Sequence, residues 1–175
     1  MYLNILDVIE EELATTFEVG VPDIIPSLSS AKRIFVAGAG RSKMVASMFA
    51  MRLMHCGFNV HVVGEVTVPS IGRDDVFFIV SGSGNTSQLI DFAVKAMTQQ
   101  AVIILVTASM SSTLKSLSNV TIQIGRVPRE MDNCLPLGGR FELSTLIFLE
   151  SLVLQIMKRK GLTDSDLAAM HANLE

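Results

Sequence analysis

The chain has 175 residues, 49% of them hydrophobic and 18% charged, with no Trp and a single Tyr. That length suits one domain with a sizeable core, and the charge lies below the roughly 25% usual for globular proteins. A formal net charge of −3 argues against a nucleic-acid or membrane-surface partner, since both select basic patches.

So low a charge implies that much surface is buried, and oligomerisation is the simplest way to bury it. Cys56 and Cys134 lie far apart and form no metal-type pair, which fits a reduced, cytoplasmic setting. Acidic residues come early and no apolar core with a cleavage site follows, so no secretory leader is expected. The most apolar stretch, Leu143 to Met157, is interrupted by Glu150 and Gln155 and is too polar for a membrane span.

In chain order, Leu6, Ile9, Leu13 and Phe17 are spaced for one helix face. Pro22 and Pro26 then break the pattern. Arg33 to Ala37 reads as a short buried strand ending in Gly38-Ala39-Gly40. Ser42 is placed to cap a helix reaching His55, with Gly57 as its stop. Strands are predicted over Asn59–Val63, Val76–Val80, Val102–Thr107 and Val120–Ile124. Thr86–Thr98 fits a helix with Leu89, Ile90, Ala93 and Met97 inward, and Ser112–Leu117 a short one. Gly125–Gly139 reads as a loop, and Arg140–Lys160 as a long helix, apolar on most sides and ended by Gly161. Thr163 with Asp166 resembles a capping box for a last helix.

Continuous β-branched runs alternating with helices predict a parallel sheet covered on both faces. No repeat, linker or second domain shows, so one domain over residues 1–175 is expected, with helical extensions at both ends. Ligands of such sheets gather beyond the strand carboxyl ends, near the switch in strand order. Both glycine turns, Gly38–Gly40 and Gly82–Gly84, fall at such ends.

Ser81-Gly82-Ser83-Gly84-Asn85-Thr86 offers hydroxyls and bare backbone N–H groups where a helix begins, an anion site by construction. Few cations sit in this loop, so a phosphate there would rest on neutral donors. Ordinary strand-to-helix connection is the alternative, since such loops favour Gly and Ser. A dinucleotide reading of Gly38 onward is weak, because Lys43 replaces the third glycine of G-x-G-x-x-G, and no Walker A loop is present. The serine loop looks like a flavodoxin phosphate loop, but it follows the third predicted strand, and aromatic partners for a flavin are scarce.

The sequence resembles the SIS (sugar isomerase) family of phosphosugar-binding domains, and within it the 6-phospho-3-hexuloisomerases. The matching pieces are GAGRS at 38–42, FAMRLMHCGFNVHVVGEVTVPSIG at 49–72, SGSGNTSQ at 81–88, PLGGRFELSTLIFLE at 136–150 and MHANLE at 170–175. Lys43, Asn85 and Gly139 depart from the family's usual residues. The resemblance implies an α/β fold, a three-layer αβα sandwich around a five-stranded parallel sheet of flavodoxin-like type, commonly assembled as a homotetramer. It implies interconversion of D-arabino-hex-3-ulose 6-phosphate and D-fructose 6-phosphate, a step of the ribulose monophosphate route of formaldehyde fixation, with no metal or organic cofactor. Ser42 and Ser81–Thr86 match the family's substrate-binding positions, Glu142 its proposed base, and His171 its C-terminal signature.

Moving a carbonyl between neighbouring carbons takes a proton from one and returns it to the other, through a cis-enediol that one carboxylate can serve. Glu142 opens a long helix after a glycine-rich turn; favourable placement against the helix dipole is its plainer reading. His171 can open the sugar ring or relay protons between oxygens, or be a solvated terminal residue. Glu65 can contact sugar hydroxyls or be an exposed loop charge. Gly40 and Arg41 adjoin the first turn, and Arg41 can meet phosphate or pair with a carboxylate. Three other readings stay open: a sugar-phosphate-sensing module with no base, an oligomerisation domain with no ligand, and an isomerase of another sugar phosphate.

Overall fold

The computed structural model describes residues 5–19, 21–125 and 135–174. Helices α1 (Ile5–Val19) and α2 (Ile25–Ser30) precede strand β1 (Ile34–Gly38). Helix α3 (Gly40–His55), strands β2 (Val60–Val62) and β3 (Val76–Val80), helix α4 (Ser87–Thr98) and strand β4 (Val102–Thr107) follow. Helix α5 (Thr113–Leu117) and strand β5 (Val120–Gln123) complete the sheet. A single 3₁₀ turn (Pro136–Gly138) leads into α6 (Gly139–Lys160), and α7 (Asp164–Ala169) is last.

All pairings are parallel, in the order β2-β1-β3-β4-β5. The chain leaves β1 toward one edge and returns through β3 on the other side, so the switch point lies between these two strands. Residues 76–80 and 103–106 are buried throughout, as strands covered on both faces must be. On one face Val36, Phe78, Val80 and Ile104 pack under α2, α3 and α6 through Leu28, Phe49, Leu53, Phe148 and Leu152. On the other, Phe35, Phe77, Ile79 and Leu105 pack under α4 and α5 through Leu89, Ala93, Ala96 and Leu114. The result is the expected three-layer αβα sandwich.

Four local expectations are corrected. Ser42 does not cap α3: Ala39 holds the N-cap position and Ser42 lies inside the first turn, because Gly40, at φ +55°, lets the chain turn into the helix two residues sooner. Pro26 does not break a helix but opens one, occupying the first turn of α2, where its missing N–H has no intrahelical partner to lose. Met97 is 49% exposed; Ala96 takes the inward place beside Ala93, and its small side chain lets α4 approach the sheet closely. Leu6 and Phe17 are exposed, whereas Val8, Ile9, Glu12 and Thr16 face inward; the inner stripe of α1 is set by a buried ion pair described below.

Gly57 and Gly161, at φ +81° and +66°, stop α3 and α6 as expected. Thr163 and Asp166 form a full capping box, with both reciprocal hydrogen bonds present. Cys56 is buried, and burial pushes its thiol pKa up, so it behaves as a packing residue. Cys134 and most of the predicted 125–139 loop lie outside the described residues. Among the described residues no helix is long and apolar enough to cross a membrane.

Candidate active site

Beyond the carboxyl ends of β1, β3, β4 and β5 lies a cavity of about 760 Å³. Its walls are the turn after β1 (Ala39, Ser42), the serine loop after β3, Ser109 after β4, Gly125 after β5, and the start of α6. This is where strand order predicts a ligand.

The serine loop is held from beneath. Ser81 N–H donates to the Val106 carbonyl (3.0 Å), and Ala108 N–H and the Thr107 hydroxyl both donate to the Gly82 carbonyl (3.1 and 3.2 Å). Ser81 Oγ, buried, accepts from Gly84 N–H (3.2 Å), and Ser83 Oγ accepts from Asn85 N–H (3.3 Å). Asn85 ties this loop to the next: its Oδ1 accepts from Thr113 N–H (2.9 Å) while its Nδ2 donates to the Ser83 carbonyl (3.2 Å). Gly84 sits at φ +63°, and a β-carbon on it would run into Ser112. Gly82 is shaped by close approach instead: a β-carbon there would stand 3.1 Å from the Phe141 ring. Thr86 is the N-cap of α4, makes no side-chain cap bond and lines the cavity, so the N-terminus of α4 begins at the cavity wall, as an anion site requires.

Glu142 lies in the first turn of α6 and lines the cavity. Its Oε2 accepts from Arg41 Nε in an ion pair reaching across from α3. Arg41 is exposed and stands outside the cavity lining, so of its two anticipated roles the structure displays carboxylate pairing. The pair fixes one oxygen of Glu142 and so orients the carboxyl group.

Ser42, Ser81, Gly82, Ser83, Asn85, Thr86 and Glu142 thus share one cavity. Gly40 and Gly84 shape its loops without lining it. Glu65 lies exposed in the turn after the edge strand β2, away from the cavity, where Lys43 Nζ lies against Gly64. His171 is also elsewhere. Its ring stacks on His55 at 5.5 Å, with 24° between the planes, and its Nδ1 lies 3.0 Å from the Ala172 carbonyl. His55 ends α3 and Ser42 begins it; the helix rise puts about 20 Å between them. His171 therefore does not meet Glu142 within one chain.

Two charged cavity residues escaped the sequence reading, Glu12 of α1 and Arg140 of α6. Both are buried, and Arg140 Nη2 donates to Glu12 Oε2. Val8, Glu12 and Thr16 share one face of α1, but two of the three are polar, so the spacing alone does not mark that face as inward. Among the described residues no group of His, Cys, Asp and Glu is arranged to hold a metal ion.

A family model described as SIS domain matches residues 27–138. The 3-hexulose-6-phosphate isomerase of Methylomonas aminofaciens is 42% identical over 160 residues, spanning 89% of this chain and 88% of that protein. The 3-hexulose-6-phosphate isomerase of Bacillus subtilis is 38% identical over 151 residues, spanning 83% and 82%. A crystal structure from Methanococcus jannaschii, described as inferring a molecular function of 3-hexulose-6-phosphate isomerase, shares a TM-score of 0.88 at 33% identity and covers 99% of this chain and all of its own. With the switch-point cavity, the serine loop and a matching model over most of the sheet, the chain belongs to the SIS domain family.

Proposed function

We propose that this protein interconverts D-arabino-hex-3-ulose 6-phosphate and D-fructose 6-phosphate through a cis-enediol. The observation that carries the reading is that Glu142 and the serine loop face one cavity. The phosphate would sit on the Ser81–Thr86 loop and the first turn of α4, held by N–H groups and hydroxyls with the positive end of the helix dipole behind them. Glu142 would then take the proton from C2 of the 3-ulose, giving an enediol across C2 and C3, and return it to C3. A second proton passes from the C2 hydroxyl to the C3 oxygen, leaving a carbonyl at C2. One carboxylate serves both carbon transfers, because the cis-enediol presents both carbons on one face.

The transfer between oxygens falls to His171 of a neighbouring copy in this reading. Three features support it. His171 is remote from Glu142 in its own chain. Met44, Met48 and Met51 form an exposed apolar stripe on α3, and Ile147 and Leu154 another on α6. These helices pack side by side, and the exposed Arg52–Glu150 pair links them at the surface, so the two stripes together offer apolar surface that a neighbouring copy would cover. A homotetramer built on that patch would bring a tail from one copy to another's cavity. The whole chain then acts as one domain in the cytoplasm, in the formaldehyde-fixing ribulose monophosphate route, with no organic cofactor.

Incubation with fructose 6-phosphate in D₂O, followed by NMR, should show a 3-ketose and deuterium at the exchanging carbon. Glu142→Gln should lower turnover about 10²–10⁴-fold, the usual share of general acid–base catalysis, with exchange falling in parallel. Near-normal turnover in that variant would remove Glu142 from the mechanism. Co-expressed Glu142→Gln and His171→Ala chains, each nearly inactive alone, should recover activity in verified mixed oligomers; no recovery would place both roles in one chain or leave His171 without one.

A further inference from the structure

The cavity is longer than a phosphate needs. It runs from the serine loop to the carboxyl end of β5, where it meets the Glu12–Arg140 pair. Both side chains line the cavity, and each residue is 5% exposed. Gly125 follows β5, and a β-carbon there would collide with Glu12 Oε1 and stand 3.2 Å from its Cδ. That residue, at φ +87°, thus leaves room for the carboxylate to enter from α1. Arg140 meets it from α6.

The spacing of this pair from the phosphate loop follows from the sheet. Ser81 follows β3 and Gly125 follows β5, two strand intervals away, which is about 10 Å. An extended hexulose 6-phosphate, from phosphorus to C1, covers roughly seven bonds and about 8 Å at backbone-like rise per bond. A ligand anchored by phosphate at the serine loop therefore reaches the ion pair with its far end. Stability does not explain the pair, since a buried ion pair gains little over well-packed apolar residues of similar volume. A guanidinium beside a carboxylate instead offers fixed donors and acceptors together, the combination that reads a hydroxyl and a carbonyl oxygen on neighbouring carbons.

We propose that Glu12 and Arg140 bind the oxygens at the end of the sugar remote from the phosphate, and so set the chain length this cavity selects. The role rests on the serine loop being the phosphate grip. It makes Arg140 a specificity residue and α1 part of the substrate site rather than a bystander helix.

The test is isothermal titration of wild type, Arg140→Met, Arg140→Lys and the double variant E12Q/R140M with two phosphate esters. Fructose 6-phosphate spans the cavity, whereas glycerol 3-phosphate carries the same anchor on a chain too short to reach. The double variant removes both buried charges of this pair together and carries the test if Arg140→Met alone does not fold. Wild type should favour fructose 6-phosphate by tenfold or more. Arg140→Met and the double variant should lose affinity for it by about 10–100-fold, the range for hydrogen bonds to charged groups. Glycerol 3-phosphate should change less than threefold, and Arg140→Lys should restore part of the difference. Fructose 6-phosphate affinity within threefold of wild type, or equal losses for both esters, would reduce the pair to a clasp between α1 and α6 and overturn the proposal. Turnover is read on the same samples. Arg140-dependent discrimination without any turnover counts against the isomerase reading alone, and turnover without discrimination counts against the pair alone.

Discussion

Replacing Gly84 with Ala tests how the serine loop is made. At φ +63° the residue occupies left-handed space, where a non-glycine L-residue costs about 1–2 kcal/mol. A β-carbon there would also stand 2.6 Å from Ser112 Cβ, about 1 Å inside normal carbon contact. Rotating the Ser112 hydroxyl relieves only its oxygen and sacrifices its bond to the Ser109 carbonyl (3.2 Å). The Cβ contact remains, so the loop must move away from α5, which adds about 1–3 kcal/mol of overpacking. Gly40 is the control. It has φ +55° but nothing within 4 Å of an added β-carbon, so Gly40→Ala should cost only the conformational share. In urea unfolding Gly84→Ala should therefore exceed Gly40→Ala by about 1–3 kcal/mol. It should also weaken inorganic phosphate binding, because the displaced loop strains Ser81 and Gly82. Adding Ser112→Gly should recover most of the excess, as expected for two sites in contact. Equal costs at 84 and 40, or unaltered phosphate binding in Gly84→Ala, would refute the reasoning.

Ser83→Ala should weaken substrate and inorganic phosphate alike by about 0.5–3 kcal/mol, depending on how much charge its hydroxyl meets; titration calorimetry reads this, and unchanged affinity would take Ser83 out of the grip. Asp75→Asn should cost about 2–4 kcal/mol in urea unfolding, since Asp75 accepts from Arg33 Nε (3.0 Å), Arg33 Nη2 (2.7 Å) and Gly72 N–H (2.7 Å). Burial alone would raise the Asp75 pKa, but those bonds and the nearby charges of Arg33 and Lys32 outweigh it and lower it. A depressed carboxylate contributes stability that is complete above its unfolded value near pH 4 and is lost as pH falls through the folded one. Wild type should accordingly lose more stability than Asp75→Asn as pH falls below about 4, and parallel acid limbs would contradict this.

The strands were legible because a parallel sheet covered on both faces leaves no solvent side. Val76 to Val80 and Val102 to Thr107 must then read as unbroken apolar runs, and helices between them leave only one connection type. Helix faces were harder. Periodicity permits several stripes on α1, and Leu6, Ile9, Leu13 and Phe17 form a plausible one by hydropathy alone. The observed stripe includes Glu12, and a carboxylate is counted as solvent-facing unless its partner is known. That partner, Arg140, lies 128 positions away, beyond any local pattern. Ser42 misled in the opposite sense: its type suits a cap, yet a glycine two residues earlier can take the turn itself.

The site divides along the same line. Its local part, a hydroxyl- and glycine-rich turn entering a helix, could be read because backbone N–H groups and their geometry are properties of a short segment. Its non-local part could not. Arg41 and Glu142 meet across α3 and α6, and Glu12 joins Arg140 only because α1 packs along α6. The chemistry follows this partition. Phosphate is common to many sugars, and in the proposed reading it is held by the neutral donors of one loop. In the proposed reading, which sugar is taken and where its proton moves depends on charged groups that α1 and α6 bring to the cavity, Glu12, Arg140 and Glu142, the last of them oriented by Arg41 of α3. A change of substrate within this fold is therefore expected to run through positions such as 12 and 140, while the serine loop stays as it is.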